Sequence, residues 1–502
     1  MNAPAFDYRD VQGLVRFGHA HLPEACFLLV QVENAAAARS WVGTVSITTA
    51  ETVAHPPHTA LQVAFTCPGL RALGVLAEVI QTFSPEFIAG MSAEDSRSRR
   101  LGDVAANAPT EWLWGRPGNE PHLLLMLYAR QGRMEEWKHA VIGKLPESGL
   151  SVLRCLRTAG VDGYEPFGFR DGLSQPQLDW GLERKAQSGN QLAYGNLLAL
   201  GEFLLGYPNE YGQYTDRPMV DVTGDPHAIL LPAVDQPDKR DLGRDGTYLV
   251  FRHLRQDVQG FWQFVDKQAN GDPTLRQALA EAMVGRTREG APLVPVADSP
   301  IPGVGPKAAD VQQNQFTYAA DSAGIRCPFG AHIRRANPRN ADLPDGAGGL
   351  IGRLLRVLGF CRDNLRTDTI ASSRFHRLIR RGRKYGAKLT PEQAIQRGQA
   401  SGDESGLYFI CLNANIGRQF EFVQNAWIMG TKFNGLTEES DPLLGNRAPV
   451  GGCPVADTFS LRKPHGVRCR IAGMPQFVTV RGGAYFFLPG IRAVRYLASL
   501  SG

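Results

Sequence analysis

The stretch CPFGAHIRRANPR, which runs from Cys327 to Arg339, sets one histidine between a Pro/Gly turn and a group of three arginines. The histidine is His332, and the arginines are Arg334, Arg335 and Arg339. An imidazole that tight turns hold in place can serve as a metal ligand, and guanidinium groups beside it suit an anionic ligand. Taken alone, the stretch also fits a histidine in a basic surface loop. Other parts of the sequence are needed to distinguish a metal ligand from such a surface histidine.

Two other stretches carry residue types that can do chemistry. Upstream, GFRDG places Asp171 between Gly168 and Gly172. A carboxylate in a glycine turn can approach a ligand closely, although the same pattern is typical of a simple turn former. Downstream, IRRGRKYG, from Ile379 to Gly386, concentrates positive charge and by itself indicates a solvated basic face. Neither stretch is specific when it is considered alone.

Apolar runs followed by helical patterns recur in both parts of the chain. The predicted strands cover residues 24–32, 60–66, 122–130, 246–255, 407–415 and 477–488, the last of them divided in two by a glycine turn or bulge. No glycine-rich phosphate loop follows any of these runs, so antiparallel sheets with helices on one face are favoured over a doubly wound sheet. The pattern predicts a pseudo-duplicated α+β protein with two domains, residues 1–235 and 236–502.

Length and composition are those of an ordinary globular protein. A chain of 502 residues is long for one hydrophobic core, which supports two domains. A net charge of +5 is too slight to indicate nucleic acid as a partner. The N-terminal residues lack the features of a signal peptide, no apolar run reaches about 18 residues, and the eight cysteines show no zinc spacing. We therefore expect a cytoplasmic protein with reduced thiols and no membrane span.

Together and in this order, the three stretches closely resemble those of the dye-decolourising (DyP-type) haem peroxidases. GFRDG is similar to the GxxDG signature of that family, CPFGAHIRRANPR to the segment with its axial histidine, and IRRGRKYG to the segment with its distal arginine. VQGLV, GLYF with QFEFVQ after it, DPLLG and FVTVRGGAYFFLP extend the resemblance over nearly the whole chain. The length is that of the larger members with extended loops.

The resemblance implies a fold and a haem site. The fold would be α+β, with two ferredoxin-like halves of the dimeric α+β barrel type, antiparallel sheets and peripheral helices. The N-terminal half would carry Asp171 as the distal acid–base residue. The C-terminal half would carry most of the pocket for one haem b per chain, with His332 as the proximal iron ligand. Arg380 would be the distal arginine, with Arg381 as the alternative one residue later.

Other haem contacts follow from the same resemblance. Arg334, Arg335 and Arg339 are candidate partners of the haem propionates because they lie close to His332 in sequence. Some family members place an acidic residue behind the axial histidine. At that position this sequence has Asn415, which could instead cap the following helix, and Glu421 is the alternative acidic group.

The implied reaction is the oxidation of dyes, phenols and similar one-electron donors by hydrogen peroxide through an oxyferryl intermediate. The main alternative is a haem-binding protein for storage, transfer or sensing with incidental peroxidase activity. Two further alternatives are a cofactor-free scaffold and a nucleic-acid surface formed by residues 374–384. The expected partners are hydrogen peroxide and small aromatic donors, without nucleic acid or a membrane, and homo-oligomerisation is left open.

Overall fold

The computed structural model describes residues 6–183, 196–295, 313–314, 316–339, 373–396, 404–448 and 455–500. The strands of this part of the chain are, in order, β1 (Glu24–Val32), β2 (Thr59–Phe65), β3 (Leu123–Ala129), β4 (Leu150–Arg157), β5 (Gln177–Leu178), β6 (Leu197–Leu198), β7 (Met219–Asp221), β8 (Lys239–Asp241), β9 (Thr247–Gln256), β10 (Ile379–Arg380), β11 (Arg383–Tyr385), β12 (Gly406–Asn413), β13 (Phe459–Leu461), β14 (Cys469–Ile471) and β15 (Val478–Leu488). Its α-helices are Gly13–Phe17, Ala35–Thr44, Cys67–Ala72, Ala77–Ile80, Pro85–Ala89, Asp95–Leu101, Met134–Ile142, Val258–Gln268, Pro273–Val284, His332–Ala336, Pro391–Gln396 and Ile491–Ser499. Two π-helical segments, Gly417–Glu421 and Val423–Met429, follow β12.

The first four strands form a ferredoxin-like unit. Their order in the sheet is β4-β1-β3-β2, and each of these pairings is antiparallel. The helix Ala35–Thr44 lies between β1 and β2 in the chain, and Met134–Ile142 lies between β3 and β4. Asn34 caps the first of these helices, and its side chain accepts a hydrogen bond from the Ala37 N–H. The strand and helix order is therefore that of a βαββαβ unit.

The second half repeats this arrangement. β12 lies between β9 and the two short strands β10 and β11, and β15 pairs with the other side of β9. The helix Val258–Gln268 follows β9 and is capped by the Asp257 carboxylate, while the π-helical segments follow β12. The predicted pair of ferredoxin-like halves with antiparallel sheets is therefore confirmed. The predicted boundary at residue 235 falls between the paired strands β7 and β8, and it stays a prediction.

The two halves meet along both edges of their sheets. β15 of the second half pairs with β2 of the first half at Phe487 and Phe65. On the opposite edge, the backbone N–H of Ala159, just after β4, donates to the Lys384 carbonyl in β11 at 2.8 Å. Contact at both edges turns the sheet into a barrel, as the dimeric α+β barrel type requires.

Alternate residues of the barrel strands enter two apolar layers. In β1, Phe27 and Leu29 belong to the inner layer, where the Phe27 ring packs edge-to-face against Phe251 of β9 with centroids 5.7 Å apart. Leu28 and Val30 belong to the outer layer, which packs against the helices. Both layers contain side chains from both halves, so burial of apolar surface holds the halves together.

Two strand predictions are corrected. The segment predicted as two strands over 477–488 is the single strand β15, with a bulge between Val480 and Gly482. A Cβ at Gly482 would lie 2.7 Å from the Trp114 ring, so the bulge requires a residue without a side chain. The strand β4 is not predicted from the sequence, because LSVLRCLR mixes charged and apolar residues without clear alternation.

The basic residues 374–384 do not form a solvated face. The buried Arg383 guanidinium donates to the carbonyls of His19 and Leu22, and Arg374 lies 3.9 Å from the buried Glu210 carboxylate. This removes the feature that suggested a nucleic-acid surface. Within the described residues, no helix has both the length and the apolar character needed to cross a bilayer.

Candidate active site

His332 begins the short helix His332–Ala336 at the end of a tightly turned loop. The Asp321 carboxylate organises this loop by accepting hydrogen bonds from three backbone N–H groups, those of Ile325, Arg326 and Cys327. A turn then follows in which the Ala331 N–H donates to the Pro328 carbonyl at 3.0 Å. The Pro/Gly turn seen in the sequence therefore fixes the position of the imidazole.

A buried carboxylate, Asp441, stands behind the His332 ring. Its Oδ2 lies 2.9 Å from His332 Nδ1, and its Oδ1 accepts hydrogen bonds from the N–H groups of Leu443 and Leu444. Burial acts to lower the pKa of His332, but the charge and hydrogen bond of Asp441 outweigh it and raise that pKa. Burial acts to raise the pKa of Asp441, and His332 reverses this shift. Because Nδ1 is occupied, Nε2 is the ring atom that remains available as a metal ligand.

The sequence predicts Asn415 or Glu421 for the position behind the histidine, and both predictions are wrong. The Asn415 side chain caps the following helical segment through a backbone N–H, and it does not line the cavity around His332. Glu421 is instead paired with Arg97 at 3.0 Å. A usable signal was present, because Asp441 begins the DPLLG stretch of the family resemblance, but it lies 109 residues from His332.

Arg334 and Arg335 brace the histidine loop and do not line the cavity. Arg334 donates to the Asp321 carboxylate at 3.1 Å. Arg335 donates through Nε to the Trp427 carbonyl at 2.7 Å. The prediction that these two residues contact haem is therefore corrected, because neither of them lines the cavity that contains His332. Arg339, the third candidate, does line the cavity.

Asp171 lies in a turn that depends on a glycine and on a second carboxylate. Gly172 has a φ of 82°, a backbone conformation that favours glycine, and its N–H donates to Asp171 Oδ1 at 2.6 Å. The Glu165 carboxylate accepts hydrogen bonds from the N–H groups of Phe167 and Phe169 at 3.0 and 2.9 Å. Glu165 also lines the cavity, and burial raises its pKa to about 7. Glu165 is not among the residues predicted from the sequence, since a Glu three residues before a glycine carries no specific signal.

Arg380 is the arginine beside Asp171. Its Nη1 lies 2.8 Å from Asp171 Oδ1. The backbone of Arg380 in β10 exchanges two hydrogen bonds of 3.0 Å with the Gln175 side chain, which ties this strand to the segment after Asp171. Arg381 points elsewhere, and its Nε donates to the Leu14 carbonyl at 2.7 Å. The sequence left open whether Arg380 or Arg381 lies beside Asp171, and these contacts favour Arg380.

The surroundings of Asp171 favour its ionised form. Burial acts to raise its pKa, but the positive charge of Arg380 and the hydrogen bonds from Gly172 and Arg380 outweigh it, so the pKa lies below its ordinary value. The side chain is nevertheless 38% exposed, so a small molecule can reach it. An ionised carboxylate beside a guanidinium can take a proton from a bound acid while the guanidinium stabilises negative charge.

His332, Asp171 and Arg380 line a single cavity of about 300 Å³. Much of its lining is apolar and comes from both halves, including Phe169, Val284, Leu407, Phe409, Leu443 and Val478. Arg286 and Arg339 add positive charge to the wall, and burial together with the charge of Arg339 lowers the pKa of Arg286 to about 10. A haem needs an apolar slot, an axial imidazole and cations for its propionates. The residues of this cavity fit such a group.

Comparisons with known proteins show that the chain is similar to named dye peroxidases. No protein-family model matches the chain. The chain is 28% identical over 514 residues to the dye-decolorizing peroxidase msp1 of Mycetinis scorodonius, covering 98% of this chain and 87% of the relative. It is 28% identical over 459 residues to the multifunctional dye peroxidase DyP2 of an Amycolatopsis species, covering 87% of this chain and 82% of the relative.

A solved structure shows the same fold. The crystal structure of a fungal DyP-type peroxidase from Auricularia auricula-judae superposes with a TM-score of 0.71 at 23% sequence identity, covering 99% of this chain and 100% of that chain. The predicted resemblance to the dye-decolourising peroxidases and the predicted fold are therefore confirmed over nearly the whole chain.

Proposed function

We propose that this chain, which resembles the dye-decolourising peroxidases along nearly its whole length, is a haem peroxidase that uses hydrogen peroxide. One observation carries the proposal: the Asp171–Arg380 pair and the carboxylate-backed His332 line the same cavity. Cleavage of peroxide by haem iron needs an axial ligand of this kind together with a proton acceptor and a positive charge.

The proposed proximal side consists of His332 and Asp441. His332 would hold the iron of one haem b through Nε2, while Asp441 fixes the orientation of the ring through Nδ1. A carboxylate in this position raises the donor strength of the imidazole. Arg339 and Arg286, which line the same cavity, are the cations that we propose for the propionates.

The proposed distal side consists of Asp171 and Arg380. Bound haem would supply a redox-active iron that stores the two oxidising equivalents of hydrogen peroxide for later one-electron transfers. Asp171 takes a proton from one oxygen of the peroxide and returns it to the other, and it is ready to do so because Arg380 keeps its carboxylate ionised. Arg380 stabilises the negative charge that develops on the departing oxygen. The oxyferryl intermediate stays a prediction of the family resemblance.

Dyes, phenols and similar one-electron donors are the substrates that we propose, because the curated relatives described above are named dye peroxidases. The test is an absorbance spectrum of the purified protein before and after one equivalent of hydrogen peroxide. We expect a Soret band, a rapid change on adding peroxide, and a return to the starting spectrum when a dye is added. A Soret band that does not respond to peroxide would favour a haem carrier or sensor. A missing band after expression with adequate haem would contradict haem binding.

A further inference from the structure

Two cysteines on neighbouring strands bring their sulfur atoms close together outside the haem cavity. Cys26 lies on β1 and Cys155 on β4, and their Sγ atoms are 3.2 Å apart. In the antiparallel register, Cys26 pairs with Arg157 and Cys155 pairs with Leu28, so the cysteines are diagonal neighbours on one face of the sheet. Formation of a disulfide bond of about 2.05 Å requires the sulfurs to approach by only about 1 Å. Both cysteines are free thiols in this structure.

The two thiols differ in access to solvent. Cys155 is exposed, whereas Cys26 is buried with 1% of its surface accessible. A peroxide in solution can therefore reach Cys155 first. Cys26 lies beside it on the neighbouring strand, with its sulfur 3.2 Å away, where it can attack an oxidised Cys155.

Nearby charges favour the thiolate on Cys155. The hydrogen bond with Cys26 is the largest factor that lowers the pKa of Cys155, and the positive charges of Lys138 and Arg157 lower it further. The hydrogen bond to Cys155 and burial raise the pKa of Cys26. Lys138 is itself almost fully buried and is held by Glu135 at 2.5 Å, so its charge stays near the pair. The exposed sulfur is thus the nucleophile of the pair, and the buried sulfur keeps its proton.

We propose that Cys26 and Cys155 form a peroxide-oxidised dithiol site, in which Cys155 reacts first and Cys26 resolves it to a reversible disulfide. The Cys155 thiolate attacks one peroxide oxygen, an S–O bond forms, the O–O bond breaks, and the second oxygen leaves as hydroxide and becomes water. The Cys26 sulfur then attacks the sulfenic sulfur, the S–O bond breaks, and the oxygen leaves as water with the proton of Cys26. Two electrons pass from the sulfurs to one hydrogen peroxide, which becomes two waters.

This site goes beyond the proposed haem reaction and does not depend on it. A disulfide at this position links β4 covalently to β1 and closes a loop between residues 129 positions apart in the chain. Because cross-linking distant residues restricts the unfolded chain, we expect the oxidised protein to unfold at a higher temperature than the reduced protein.

The experiment uses the full-length haem-loaded protein, reduced with dithiothreitol and freed from it. After a few equivalents of hydrogen peroxide, free thiols are alkylated and the digest is analysed by mass spectrometry. We expect a linked peptide that contains Cys26 and Cys155, the loss of two of the eight thiols, and recovery of both with dithiothreitol. If both cysteines remain alkylated, or if only mixed disulfides with other cysteines form, the proposal is wrong.

Variants separate the two steps. In Cys26→Ser, we expect dimedone to trap a sulfenic acid on Cys155, while in Cys155→Ser, Cys26 should remain reduced. Cys469, the other exposed cysteine among the described residues, serves as the internal control and should react more slowly than Cys155. Sulfenic acid on Cys469 but not on Cys155 would overturn the proposed order of reaction.

A last control distinguishes this chemistry from oxidation by the haem. The Asp171→Asn holoprotein should form the same disulfide at the same rate as the wild type, since Cys155 reacts with peroxide directly. Disulfide formation only in the wild type would overturn direct oxidation at Cys155, while leaving the proposed peroxidase function intact. Conversely, a disulfide without any peroxide-dependent haem spectrum would contradict the peroxidase function alone.

Discussion

His332 Nδ1 lies 2.9 Å from Asp441 Oδ2, and the Asp441 carboxylate is wholly buried and anchored by two backbone N–H groups. The imidazole therefore has a fixed orientation and a carboxylate neighbour whose ionised form is favoured by the lowered pKa of Asp441, which results mainly from His332. In a metal site, this arrangement increases the donor strength of the histidine and lowers the reduction potential of the metal, because the higher oxidation state gains more from the added electron density.

The first prediction concerns Asp441→Asn. The amide keeps the shape and a hydrogen bond but removes the charge, so we expect the ferric/ferrous reduction potential to rise and the peroxide reaction to slow by about 10- to 100-fold. Spectroelectrochemistry and stopped-flow absorbance measure the two effects. Glu421→Gln is the matched control, because Glu421 is a buried carboxylate paired with Arg97 and not with His332. An equal change of potential in both variants would contradict the role of Asp441.

The second prediction concerns Asp171→Asn. Loss of the proton acceptor should slow the spectral change after peroxide by about 10²- to 10⁴-fold, while the Soret band of the resting protein is retained. Stopped-flow mixing at equal haem content gives the rate. Asp162→Asn makes the same chemical change at a carboxylate paired with Lys388 at 3.0 Å and should leave the rate unaltered. An undiminished rate in Asp171→Asn would rule out this residue as the proton acceptor.

The third prediction separates Arg380 from Arg381. Arg380→Leu removes the positive charge beside Asp171 and should lower the rate of the peroxide reaction by about 10²- to 10³-fold. Arg381→Leu leaves the Leu14 carbonyl without its donor and should cost about 1–3 kcal/mol of unfolding free energy. Its rate with peroxide, measured on the folded fraction, should match the wild type. The reverse pattern in stopped-flow and thermal unfolding would assign the distal role to Arg381.

The fourth prediction concerns pH. The folded pKa of Asp171 lies below its ordinary value, so its carboxylate remains ionised in mildly acidic solution. The favourable interaction of this carboxylate in the folded protein is present above the unfolded pKa of about 3.9 and is lost as the pH falls through the folded pKa. We therefore expect dye or phenol oxidation to peak at acidic pH. In Arg380→Leu the pKa of Asp171 should rise, so the loss of activity on the acidic side of the pH–activity profile should begin at a higher pH. A neutral or alkaline optimum with the same donor across buffers would argue against Asp171 as the base.

The sequence alone predicted the histidine and the aspartate of the site, but it did not predict the partner of the histidine. The histidine and aspartate motifs could be found because, together and in this order, they resemble the signature segments of the dye-decolourising peroxidases, although neither is specific alone. The partner of His332 could not be chosen, since Asn415, Glu421 and Asp441 all lie in the C-terminal half and only one folds against the imidazole. Arg334 and Arg335 were predicted to contact haem because they are close to His332 in sequence. Their side chains instead contact Asp321 and the Trp427 carbonyl, away from the cavity. Cytoplasmic location and oligomeric state stay predictions.

By itself, the sequence determined much of the local structure: where most of the strands run, that Asn34 and Asp257 can cap helices, and that His332 and Asp171 are held in turns. These features follow from contacts between residues that are close in the chain. Only the tertiary structure decided that Asp441 stands behind His332 and that Arg380 reaches Asp171. These pairs are 109 and 209 residues apart, and their meeting depends on how the two halves pack into one barrel.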